Sequence, residues 1–84
     1  MINIRDIIKK YINFLTPDHI RKYASSKDIY LTDDENNIIY EFIMDNYNDL
    51  LIKEDTVLKL KPYLREEIFE KVVNEYIKNK TKYL

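Results

Sequence analysis

The chain has 84 residues, a formal net charge of −1, and neither cysteine nor glycine. That length makes one domain near the lower limit of independent folding, and the missing cysteines exclude disulfides and thiolate metal sites. No run of roughly 18 or more apolar residues is present to cross a membrane. Arg5, Asp6, Lys9 and Lys10 break the stretch where a signal peptide would be apolar, so a cytoplasmic location is expected.

Average usage predicts about six glycines in a chain this long. Their absence removes Asn-Gly and Asp-Gly hairpin turns and argues against a sheet-rich fold. Left-handed helix ends must use Asn or Asp instead.

In chain order, Ile4, Ile7, Ile8, Tyr11, Ile12 and Leu15 recur with helical spacing. They predict a core-facing helix over about 3–14, with Phe14 at the edge of its stripe. Thr16-Pro17 opens a second helix over about 17–26, Thr as N-cap and Pro at the first helical position. Ile20, Tyr23 and Ala24 form its buried stripe. So short a helix depends on its neighbours for stability. In the link at 27–31, Ile29 and Leu31 alternate around Tyr30, which places them inward and Tyr30 outward.

Thr32 and Glu35 match the capping box at the start of a central helix over about 33–47. Ile38, Ile39, Phe42 and Ile43 form its main buried face, and Tyr40, Met44 and Tyr47 a second stripe beside it. Together the stripes cover roughly 240° of the helix, which suits a central element or one with an interface. Asn46 and Asn48 are the candidates for ending it, with 50–52 as a buried connection. A short fourth helix at about 56–61 points Val57, Leu58 and Leu60 inward. Pro62 breaks the path, and a last helix at about 62–80 presents Leu64, Ile68, Phe69, Val72, Val73, Tyr76 and Ile77 on one broad face. The expectation is an all-α bundle of about five helices without a sheet, in a single domain over 1–84.

Charge is distributed unevenly. Residues 1–31 hold six Lys/Arg and three Asp/Glu, a net of +3; residues 32–70 hold four and eleven, −7; residues 71–84 hold four and one, +3. A basic surface of Lys9, Lys10, Arg21, Lys22 and Lys27, joined by Lys78, Lys80 and Lys82, is therefore a candidate for phosphate contacts. Against that, Asp33, Asp34 and Glu35 occupy the helix end that a helix-turn-helix aims into the major groove. Carboxylates there repel phosphate.

Catalytic chemistry has little to build on. His19 is the only histidine and reads as an exposed polar residue. One histidine and no cysteine make no zinc set. The acidic cluster at 33–35 lacks calcium-loop spacing and is explained by helix capping. No glycine loop exists to cradle a phosphate. No cofactor, metal or enzymatic activity is expected.

One resemblance rests on Leu-Thr-Pro-Asp-His-Ile-Arg-Lys-Tyr-Ala at 15–24, Ile-Tyr-Leu-Thr at 29–32, and the helix through Ile39 and Phe42. This pattern resembles the domain of unknown function 2624 family of short bacterial proteins, over residues 16–60. Relatives of that family would carry glycine in the link and after the central helix, where this chain has Asp28 and Asn48. The resemblance implies a Gram-positive cytoplasmic protein and carries no activity or site residues with it.

The function expected is binding to another macromolecule without catalysis. The first choice of partner is another protein, with a homodimer as the simplest case. Tyr40, Met44, Tyr47, Tyr76 and Tyr83 are the candidate contact residues, because tyrosine and methionine are favoured at interfaces. The alternative is a nucleic-acid accessory protein using Lys9, Lys10, Arg21, Lys22 and Lys27.

Overall fold

Five helical elements follow one another, and no strand occurs among the described residues. The computed structural model describes residues 4–83 and, within them, every side chain but those of Ile4, Arg5, Ile7, Ile8, Lys82 and Tyr83. The elements are α1 (Ile4–Phe14), α2 (Pro17–Ser26), α3 (Asp33–Ile52), a 3-10 helix (Glu54–Tyr63) and α4 (Glu66–Tyr83). This is the expected all-α bundle; the expected first residue of α1, Asn3, lies outside the described residues.

Both helix starts follow from their sequences. The Thr16 hydroxyl accepts from the His19 amide at 3.2 Å, and His19 Nδ1 accepts from the Thr16 amide at 3.2 Å. His19 thus completes a second capping box, with an imidazole in the place usually taken by Glu or Gln. At α3 the Thr32 hydroxyl accepts from the Glu35 amide at 3.1 Å, and the Glu35 carboxylate accepts from the Thr32 amide at 3.0 Å.

The end of α2 shows how the chain manages without glycine. Asp28, at φ 59°, is the one positive-φ position among the described residues. The Asp28 amide donates to Ser25 O at 3.0 Å and the Ile29 amide to Ala24 O at 2.9 Å. This is the Schellman arrangement, and its apolar contact is the buried pair Ala24 and Ile29. A side chain in this conformation carries a steric cost that glycine avoids. Asp28→Gly is therefore expected to raise the unfolding free energy by roughly 0.5 kcal/mol, after the extra freedom of glycine in the unfolded chain is subtracted. A higher urea midpoint at unchanged slope is the readout.

Three boundaries differ from expectation. First, α3 does not stop at Asn46 or Asn48. Asn46 donates from Nδ2 to Phe42 O at 3.0 Å, so its side chain lies along its own helix. The helix runs on through residues 50–52 and ends where the Lys53 amide bonds Asp49 O. Second, the fourth element is a 3-10 helix that passes over Pro62. Proline's fixed φ suits the tighter helix, which ends one residue later at Tyr63. Third, α4 begins at Glu66 because Leu64 is extended, at φ −120° and ψ 152°.

The core consists of Ala24, Ile29, Ile39, Val57, Leu60, Leu64 and Ile68. Among the described residues it draws on α2, the link, α3, the 3-10 helix and α4. The central position expected of α3 is observed, since it packs against both α2 and the 3-10 helix, which in turn packs against α4. Ile29 is buried and Leu31 half-buried, with Tyr30 exposed, as the alternation in the link required. Five residues expected inward are exposed, among them Ile52 of the expected buried connection, which at 56% exposure sits on the open side of the last turn of α3. Tyr11 is 73% exposed, Tyr23 47%, Leu58 52% and Ile77 39%. In the tighter 3-10 turn, Leu58 rotates off the face shared by Val57 and Leu60.

Candidate functional site

A groove of about 540 Å³ opens between α2, α3 and α4. Its walls are apolar: Ile20 and Ala24 from α2, Ile39 and Ile43 from α3, Val72 from α4. Leu15, just after α1, stands at its edge, and His19, Tyr23, Glu75 and Asn79 form a polar rim.

The groove follows from two side chains of α2. Ala24 faces the core with a single methyl group, which cannot fill the space toward α4. Tyr23 turns outward and spans the gap instead. Its hydroxyl donates to Glu75 Oε2 at 3.2 Å and accepts from Asn79 Nδ2 at 2.7 Å. Asn79 Nδ2 also reaches Glu75 O at 2.9 Å. The Lys27 ammonium stands 5.9 Å from the Tyr23 ring centre. The mouth is therefore held at a set width by hydrogen bonds, while the interior offers almost nothing but hydrocarbon.

Beside this groove lies the electrostatic centre of the fold. Glu35 is only 5% exposed. Besides capping α3, its carboxylate accepts from the Arg65 amide at 3.1 Å, from Arg65 Nε at 3.2 Å and from Arg65 Nη2 at 2.8 Å. Arg65 Nη2 also donates to Tyr30 O at 3.0 Å. Burial opposes the charge on Glu35. The hydrogen bonds from the Arg65 side chain and from the Thr32 and Arg65 amides, with the Arg65 charge, outweigh it. They hold the carboxyl at about 2, well below its ordinary 4.5. One side chain thus ties the start of α3 to the link and to the start of α4.

The five candidate interface residues separate. Tyr76 lines the groove; its hydroxyl donates to Leu50 O, and the Lys80 ammonium lies 5.7 Å from its ring centre. Tyr40, Met44 and Tyr47 are half-buried on the neighbouring face of α3, about 100° round from Ile39 and Ile43. They do not join Tyr76 in the groove. Tyr83 ends α4, and its side chain lies outside the described residues.

The candidate basic residues are partly engaged. Arg21 pairs with Asp33, Lys22 with Asp18 at 3.1 Å, and Lys27 lies over Tyr23. Lys9 and Lys10 are exposed on α1. Lys82 lies outside the described side chains.

Sequence reasoning missed His19 as a rim residue and Tyr11 and Phe14 as exposed aromatics, 73% and 77% accessible. The available signal was Phe14 itself, an aromatic lying off the main stripe of its helix. No helix among the described residues is long and apolar enough to cross a membrane. Compared with known proteins, the chain matches no family model, no curated protein and no solved structure.

Proposed function

We propose that the chain is a non-catalytic protein-binding module of the cytoplasm, and that its contact surface is the groove between α2, α3 and α4. The observation that supports this reading is an apolar groove of about 540 Å³ with a polar rim of His19, Tyr23, Glu75 and Asn79. A concave, mostly apolar cleft with a few polar groups around it is the usual form of a binding site. A partner's apolar side chains would fill the interior, and the Tyr23–Glu75–Asn79 rim would supply polar contacts around them. The candidate contact set accordingly shifts from Tyr40, Met44 and Tyr47 toward Tyr76, which lines the groove. Phosphate binding through Lys9, Lys10, Arg21, Lys22 and Lys27 is the weaker reading, because Arg21 and Lys22 already face carboxylates.

The test is site-specific photo-crosslinking in the cell from position 19, on the groove rim, with position 59 as the control. Both side chains are exposed, and Lys59 lies on the 3-10 helix away from the groove. A protein adduct from 19 and none from 59 is the expected result. Absence of any adduct from 19 rejects the proposal.

A further inference from the structure

We infer that α2 is a gate: it opens from α3 and α4 as one unit, with the rest of the core still folded, and widens the groove as it goes.

The core gains little from α2. Its one buried residue is Ala24, while Ile20 is half-buried and Tyr23 is 47% exposed. The 3-10 helix, by contrast, buries Val57 and Leu60, and Leu64 and Ile68 follow it into the core. Under α2 lies the hollow of about 540 Å³ where packed side chains would otherwise hold it. A segment that buries few apolar groups opens at low free energy.

The polar ties of α2 are few and mostly reached by water. Among the described residues, its hydrogen bonds to α4 run through Tyr23, whose hydroxyl meets Glu75 and Asn79 at an exposed site. Toward α3 there are the exposed pair of Arg21 with Asp33 and one bond from Asn36 Nδ2 to Pro17 O at 2.9 Å. Exposed ties are exchanged for water at small net cost. Asn36 adds a term that favours opening. It is 3% exposed, and its Oδ1 has no donor among the described residues. Because Pro17 docks on this side chain, undocking brings the stranded acceptor its water.

The pivot is at the far end. Lys27 and Asp28 lie outside both helices and join α2 to the buried Ile29. Residues between elements absorb such a rotation. α1, joined through Leu15 and Thr16, moves with α2. Tyr23 is then the latch, and access to the apolar interior is set by how often it releases.

Native-state amide exchange of the full chain, followed by NMR, tests the gate. The hydrogen-bonded amides of α2, from Ile20 to Lys27, should share one opening and exchange roughly a hundredfold or more faster than those of Ile39 and Ile68, after correction for intrinsic rates. Low urea should leave α2 protection nearly unchanged, since little surface is exposed, while lowering that of the slow amides. Tyr23→Phe should speed α2 exchange roughly tenfold, by loss of the latch bonds. Tyr63→Phe, at an exposed site on the 3-10 helix, should not. Ile68→Val should speed the slow amides roughly fivefold and leave α2 unchanged, because Ile68 stays packed when the gate is open. Exchange in α2 as slow as at Ile39, rates graded from one end of α2, no response to Tyr23→Phe, or an equal response of α2 and α4 to Ile68→Val overturns the inference. The gate is a property of the chain alone, so it is measured without a partner. A confirmed gate with no adduct from position 19 overturns the protein-binding reading and leaves the gate standing.

Discussion

Replacing Glu35 with alanine is expected to lower the unfolding free energy by about 3 kcal/mol. The carboxylate accepts from the Thr32 amide, the Arg65 amide and the Arg65 guanidinium, and it is 5% exposed. Alanine strands two backbone donors at once and removes the link between α3 and α4. The Arg65 side chain is half exposed, so its own charge can turn to water and adds little to the loss. Glu35→Gln keeps one acceptor oxygen and should cost about half as much.

The same residue fixes a pH dependence. Its carboxyl sits at about 2 in the folded chain against an ordinary 4.5. Between those values the unfolded chain binds the extra proton, so stability rises with pH across the window. The contribution is fully present above about 4.5 and is lost as pH falls through about 2. It amounts to about 2 kcal/mol once screening around the half-exposed partner is allowed for. Urea midpoints measured from pH 5 downward should fall more steeply for the parent than for Glu35→Gln. Parallel curves would show that Glu35 is not the group responsible.

Leu60→Ala is expected to cost about 2–4 kcal/mol, through lost burial and the cavity left behind. Leu60 is 3% exposed and anchors the 3-10 helix in the core shared with Ile39, Leu64 and Ile68. A chain of 84 residues has a total stability of roughly 4–12 kcal/mol, so this change removes a large share of it. The melting temperature should fall by roughly 10 °C or more. Leu58→Ala, two residues away but 52% exposed, should change stability by about 0.5 kcal/mol or less. Thermal unfolding of the pair tests whether Leu60 faces the core and Leu58 does not, against the expectation that both lie inward.

What could be read from the sequence was local. Thr16-Pro17 and the Thr32–Glu35 box announce their helices within four residues. The alternation of Ile29, Tyr30 and Leu31 sets the link, and the want of glycine transfers a left-handed position to Asp28. What could not be read depends on distant partners. Glu35 looks like an ordinary cap until Arg65, thirty positions on, is folded against it. Asn46 looks like a stop signal, yet it bonds back to Phe42 and lets α3 continue. The groove arises because Ala24 is too small, and Tyr23 too well tied to Glu75 and Asn79, to close the space between α2 and α4. No periodicity in the chain records that gap.

If protein covers this groove in the cell, crosslinking from position 19 reports it. One discrete adduct is expected from position 19, identified as protein by mass spectrometry, with its crosslinked peptide assigned. Position 59, on the 3-10 helix, should give none. Equal labelling from both positions, or none from 19 while the chain is folded and abundant, would contradict it.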